Sequence, residues 1–439
     1  MVGADVQPES DERAARPDPE IPANEWLWIG AVLVAAIAIV VTRRPDAFLN
    51  AQFYIEDGQQ WFATAHELGG FRALLEPSYR GYLHTVPRLG ALVAVQFPLA
   101  WGPLVMNTCA VAVAAVTPAF LASGRCATLF ESRASRVAAA LLYAVLPGAW
   151  TMMANMTFTQ WHVAMLGALV LVARPARSRA GWAFDVTATA LCGLSGPTPV
   201  FLFPIAAIVW WRRRDRWSAT MLAVTIATAA VQVISIVVTA PSTEGNAPLG
   251  ASVWSLANLL ATKIVFVLVA GESGLRQLAG SADAPVFGVV SVVALLIMGA
   301  GLTAAIAWRA GSAWQLLFLF ALLITAGSLA WPPASLYSDL GYWQALAVPG
   351  NGNRYFFVPL VVLSIGLVRL ATDGSTWIRR AGIGLVAVVL LGGVRGDWRE
   401  PPLRDFEYRQ YVEAYDRARP GDKVQIVHPP GWSFTLTKR

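Results

Sequence analysis

Apolar runs such as Trp26 to Val41, Val286 to Ala307 and Arg354 to Leu370 constrain this chain more than any other feature, because each approaches the length at which a helix crosses a bilayer. Roughly 20 helical residues, rising about 1.5 Å each, bridge the hydrocarbon core. Such runs are predicted to be helical, since lipid offers no partners to unpaired backbone groups. With 56% hydrophobic and 14% charged residues over 439 positions, the chain carries more apolar surface than a soluble globule of that length needs. The expected fold class is therefore an all-α polytopic membrane protein.

Arginines punctuate the runs. They cluster at Arg125, Arg133 and Arg136; at Arg174, Arg177 and Arg179; at Arg212 to Arg216; at Arg309; and at Arg369, Arg379 and Arg380. Cytoplasmic loops attract such residues. Threading the apolar runs between the clusters predicts spans near 26–42, 103–123, 137–153, 158–173, 183–195, 199–211, 217–239, 286–307, 313–330, 354–371 and 381–394. Those cytoplasmic loops hold 14 Lys or Arg, whereas the loops near 154–157, 196–198 and 331–353 hold none, which sets the orientation. About 11 crossings put the N-terminus in the cytoplasm and the C-terminus in the periplasm or extracellular space of a bacterial inner membrane. Arg43 and Arg44 conflict with this pattern, because they follow the first span on the outside.

Residues 1–25 carry seven carboxylates and two arginines, the reverse of a signal peptide's basic start, and read as a disordered cytoplasmic tail. The membrane domain is expected over 26–394, with a first external loop over 43–101. Leu89 to Ala100 is short and contains Pro98, and Val253 to Ala270 would reverse everything after it as a span; both are read as interfacial or re-entrant helices on the outer face. Gly193-Leu-Ser-Gly-Pro-Thr-Pro199 breaks the helix between two short spans, a pattern that often lines a polar cavity. Residues 395–439 form a small external tail, predicted to hold a helix within 403–418 and a hairpin of 423–428 with 433–438. Cys109, Cys126 and Cys192 lie in or beside apolar runs at no metal-ligand spacing. The formal charge of +6 is explained by topology, so no nucleic-acid partner is expected.

The first external loop concentrates reactive side chains: Glu56, Asp57, Trp61, His66, Glu67, Glu76, Tyr79, Arg80, Tyr82, His84 and Arg88. A carboxylate just outside the membrane can take a proton from a sugar hydroxyl, or hold a divalent cation such as Mg or Mn that assists. Glu56 and Asp57 meet either need. Adjacent side chains on an irregular segment diverge, so one is expected to face the reaction and the other to hold structure or metal; Asp57, beside flexible Gly58, is the expected base. The same loop could also be an amphipathic connector on headgroups. A second cluster, Asn155 to His162, brings Asn155, Gln160, Trp161 and His162 to a helix junction, where amides and an aromatic face suit a sugar; helix capping and an interfacial aromatic belt are the alternatives. A third opens a late helix with Arg354 and Tyr355, and the arginine fork suits a phosphate, as it also suits a snorkelling anchor.

Together these positions resemble the GT-C class of membrane glycosyltransferases, which includes protein O-mannosyltransferases and lipid A aminoarabinose transferases. The likeness lies in the acidic pair Glu56-Asp57 after the first helix, in Leu194-Ser-Gly-Pro197 followed by Pro204 and the basic run 212–216, and in Arg354-Tyr355 with Pro359. The resemblance implies a polyprenyl-phosphate-sugar donor, a glycan, lipid or protein acceptor, and inverting transfer. It implies Asp57 as base and Arg354, with Arg80 or Arg88, on the donor phosphate. The chain departs from many members in having only a small tail where they carry a large external domain. Two other readings compete: a lipid or solute transporter using the broken helices, and an envelope polysaccharide polymerase or ligase.

Overall fold

The computed structural model describes residues 23–78, 80–239, 248–280, 287–309, 311–330, 340–373, 375–399 and 401–439. The acidic tail read over 1–25 lies almost wholly outside them, as does Tyr79. Regular structure among the described residues is helical apart from one hairpin. Among the described residues, eight helices are long and apolar enough to cross a membrane: Asn24–Arg43, Leu99–Ala122, Arg216–Thr239, Val253–Ala279, Val289–Trp308, Gly311–Ala330, Asn353–Thr372 and Thr376–Val394. The chain is an all-α polytopic membrane protein. Four shorter helices, Arg133–Ala144, Thr159–Val172, Arg179–Gly193 and Thr198–Arg213, complete the bundle. All but one of the residues of Thr159–Val172 are buried, so an apolar surface on every side is matched by protein on every side.

Two expectations change. The span predicted over 137–153 is helical only over Arg133–Ala144, because Pro147 removes a backbone donor and Gly148 adopts φ +69°. Residues 145–158 are mostly irregular and become part of the site described below. Val253 to Ala270, expected as an interfacial or re-entrant helix, is part of a longer helix that reaches Ala279 and turns at Gly271, where φ is +75°.

Interhelical contacts sort the loops between two ends of the bundle. Residues 24 and 25 meet the segment 124–133: the Glu25 carboxylate accepts from the Gly124 amide, and Arg133 donates to Asn24 Oδ1 at 3.3 Å. Arg125 reaches Arg174 O at 2.9 Å, Arg213 reaches Ala173 O at 3.2 Å, and Arg369 pairs with Glu131 at 3.9 Å. Most of the arginine clusters thus share the end that holds residue 24. At the other end Arg43, only 2% exposed, donates to Leu146 O at 3.3 Å and Asp397 O at 2.9 Å, while Arg44 grips Asp46 with two bonds of 3.1 and 3.0 Å. These two arginines, which conflict with the charge pattern, tie loops together there.

The tail is not an appendage. Helix Tyr408–Arg417 and strands Lys423–His428 and Trp432–Thr437, paired antiparallel from Lys423 with Thr437 to His428 with Trp432, pack on the first loop. Phe53 meets Phe434 and Tyr408 edge-on at 5.4 and 5.7 Å, Ile55 N donates to Pro429 O at 3.1 Å, and Thr437 N donates to Glu67 at 3.0 Å. This apolar cluster includes Trp61, Phe62, Ile426 and Leu436.

Candidate functional site

Glu56 precedes a π-helical turn, Asp57–Phe62, that continues into helix Ala63–Leu68. The turn points the two carboxylates differently. Asp57 is 1% exposed; its Oδ1 accepts from Thr157 N at 2.9 Å and Thr157 Oγ1 at 2.8 Å, and its Oδ2 accepts from Met156 N at 3.1 Å. Burial pushes its carboxyl up to about 7, opposed by those donors and reinforced by the Glu56 charge. Asp57 therefore clamps the first loop to the irregular segment before helix Thr159–Val172. Glu56 is half-buried and is the member of the pair with residual exposure.

The clamp leads directly to the rest of the loop. Trp61 Nε1 donates to Thr157 Oγ1 at 2.7 Å, and the Trp61 ring lies 4.7 Å from His84 and 5.2 Å from the Arg88 guanidinium. Tyr82 packs on His84 at 4.8 Å. The broken helix at 193–199 supplies the backing: Thr85 N donates to Leu194 O at 3.0 Å, Val86 N to Ser195 Oγ at 3.0 Å, and Gln232 bridges Leu83 and Gly193. Arg88 is 1% exposed, yet its one protein acceptor among the described residues is Pro77 O at 3.4 Å; Nε and Nη1 have none. Burial draws its guanidinium down to about 10, and Glu76 is the nearby charge that opposes this. Burial and then Arg88 draw His84 down to about 3, so it is neutral at ordinary pH, with Nδ1 also lacking a partner.

Arg354 joins from helix Asn353–Asp373. Its guanidinium lies 5.5 Å over Phe158 and 4.6 Å over Tyr355, whose hydroxyl accepts from Nη2 at 2.9 Å. Tyr355 meets Trp161 edge-on at 5.9 Å. Tyr342 stands against the same group: burial and then Tyr355 push its phenol up, while Arg354 and Arg80 oppose the shift. Thr157 and Phe158 thus connect Asp57, Trp61, His84 and Arg88 on one side to Arg354, Tyr355, Tyr342 and Arg80 on the other.

Not every expected residue joins. His162 turns into the bundle, where Nδ1 shares a 2.8 Å bond with Tyr143 Oη and Nε2 lies 3.1 Å from Met152 O; it packs the core instead of a ligand. Asn155 caps Phe158 N at 3.1 Å and lines a cavity with Arg44, Asp46 and Gln52. Gln160 lies at the helix break, where a Cβ on Gly196 would come within 2.5 Å of its Oε1. Glu56 and Asp57 do not fit a divalent cation, because both Asp57 oxygens are engaged and no three His, Cys, Asp or Glu side chains converge among the described residues. Tyr342 is a contributor that no local motif marks; Thr157 lies inside the 155–162 cluster and Trp61 inside the first loop, but the sequence assigns a role to neither.

No protein-family model matches this sequence, and no curated protein matches it significantly. Fold and site define a polytopic helical membrane protein with a cationic, aromatic cluster at one end of the bundle, and the reading of its chemistry rests on that cluster.

Proposed function

We propose that the chain is a GT-C-type membrane glycosyltransferase, moving a sugar from a polyprenyl-phosphate donor to a glycan, lipid or protein acceptor at the outer face of a bacterial inner membrane. The observation that carries this reading is Arg88: a buried cation whose Nε and Nη1 are unmatched among the described residues, beside neutral His84 and the ring of Trp61. A buried charge persists when something compensates it, and a phosphate offers the acceptors a guanidinium fork requires. Arg354 and Arg80 bring positive charge to Tyr342, across Thr157 and Phe158 from Arg88.

In the proposed reaction the acceptor hydroxyl attacks the anomeric carbon as the carbon–oxygen bond to the donor phosphate breaks, and that electron pair leaves on the phosphate. The hydroxyl proton passes to Glu56. Asp57, enclosed by three donors, holds the loop that presents Glu56. Trp161, Tyr355 and Tyr82 supply flat surfaces suited to a sugar.

The contacts also support eleven crossings. Residue 24 and the tail contact opposite ends of the bundle, which requires an odd number. Helix Val253–Ala279 meets the tail-bearing end at both extremities, through Pro248 and Leu249 on one side and Asp397 on the other, so we read it as re-entrant despite its length. The arginine-rich end is then cytoplasmic.

The test is transfer itself. Purified protein in nanodiscs, given a radiolabelled polyprenyl-phosphate sugar and membrane extract, should release polyprenyl phosphate and label an acceptor. Failure to bind polyprenyl phosphate at any accessible concentration would remove the proposal.

A further inference from the structure

Behind Arg354 lies a second buried polar group, outside the reaction proposed above. Lys263 and Glu272 are 1% and 0% exposed, with Nζ 3.7 Å from Oε1. They sit on either side of the turn at Gly271, a residue that no side chain could replace: φ is +75°, and a Cβ would stand 2.5 Å from Asp397 Oδ1. Asp397 holds the turn, its carboxylate accepting from Glu272 N at 2.8 Å, Ser273 N at 2.9 Å and Gly148 N at 2.7 Å.

Both members of the pair reach for one segment. Lys263 Nζ donates to Val348 O at 2.9 Å and to Asn353 Oδ1 at 3.2 Å, and the Glu272 carboxylate accepts from Gly350 N. That segment, Val348 to Asn353, contains Gly350 and Gly352 at φ +81° and +67° and ends at the residue before Arg354. Glycine-rich backbone has many conformations open to it. Here its carbonyl, amide and side chain are each held by a buried ion.

We infer that the Lys263–Glu272 pair is a positioning device, fixing the segment 348–353 and thereby aiming Arg354 across Phe158 and Tyr355; that Arg354 meets a lipid phosphate rests on the function proposed above. Stability alone does not account for the pair. Burying two ions is costly, and apolar replacements of similar volume are often as stable or more so. The pair supplies a fixed geometry that an apolar filling could not give, because methyl groups make no directed bonds to Val348 O and Gly350 N.

The experiment replaces both members of the pair, leaving half-buried Arg276 as the charge beside them: Lys263→Met with Glu272→Leu. The double variant should keep its thermal midpoint within a few degrees while the amides of 349–356 exchange with deuterium at least tenfold faster and those of 360–370 stay unchanged. Its affinity for undecaprenyl phosphate in nanodiscs should fall about tenfold, and in an Arg354→Ala background the same replacement should cost nothing more. Unchanged exchange over 349–356, or losses that simply multiply with Arg354→Ala, would overturn the inference. Should the double variant not fold, Asn353→Ala removes one Lys263 acceptor without stranding a charge and should loosen the same amides; native exchange there is equally fatal. A wild-type protein that retains no undecaprenyl phosphate refutes the proposed function, while the exchange data still decide the positioning.

Discussion

Glu56→Gln and Asp57→Asn, two changes of one atom type at adjacent positions, should fail in different ways. Glu56 is half-buried, so its amide variant should keep the fold and lose the proton acceptor. Removing a general base costs about 10²–10⁴ in rate, or about 3–5 kcal/mol of transition-state stabilisation. Asp57→Asn keeps an oxygen for Thr157 but turns an amide NH₂ toward Met156 N, so one accepted bond becomes a clash of donors. Such a bond is worth about 0.5–1.5 kcal/mol, and orphaning the buried donor adds about 1–3 kcal/mol. Stability should therefore fall by about 2–4 kcal/mol, seen as a lower thermal midpoint in detergent. The pH dependence has a definite sign. Burial raises the Asp57 carboxyl from 3.8 to about 7, so the folded state holds the proton more tightly than the unfolded chain. That contribution is complete below pH 3.8 and is lost as pH rises through 7, a span worth up to about 4 kcal/mol. The deficit of Asp57→Asn should accordingly be largest near pH 4 and shrink toward pH 7. An Asp57→Asn protein that melts with the parent at every pH yet transfers no sugar, beside a fully active Glu56→Gln, would refute this division and return the base to Asp57.

Three further outcomes follow from the same contacts. Arg88→Met exchanges a buried cation for an apolar side chain of similar length, so the fold should be kept or stabilised while retention of polyprenyl phosphate drops at least tenfold; a less stable protein with native retention would make Arg88 structural. Gly58→Ala would set a Cβ 2.5 Å from the Phe434 ring and should cost about 1–3 kcal/mol, recovered by Phe434→Leu; an unchanged melting curve would deny the packing of tail on loop. Single cysteines at positions 24 and 430 should react with an impermeant maleimide from opposite sides of sealed vesicles, and labelling of both from one side would contradict an odd number of crossings.

The features legible in the chain are those that repeat along it. Apolar length predicts helices, and the helices over 23–43, 102–122, 216–239, 289–309, 311–330 and 353–373 lie within a few residues of the runs that announced them. Arginine spacing sorted loops, and most of the arginine clusters do gather at the end with residue 24. The tail's alternating strands were legible too, because period-two patterning and Pro-Pro-Gly-Trp are local signals. The places where local reasoning stopped are those set by contacts between distant segments. Glu56 and Asp57 are indistinguishable as a dipeptide, and they part only because Thr157, a hundred residues on, encloses one of them. His162 reads as a sugar ligand until Tyr143 claims it, and nothing in the run Val253 to Ala270 shows that Lys263 within it is enclosed by Glu272 and Val348. A side chain's composition fixes which bonds it can make. Which it does make depends on what the other helices bring within 3 Å once packing has excluded water, and no window along the chain contains that.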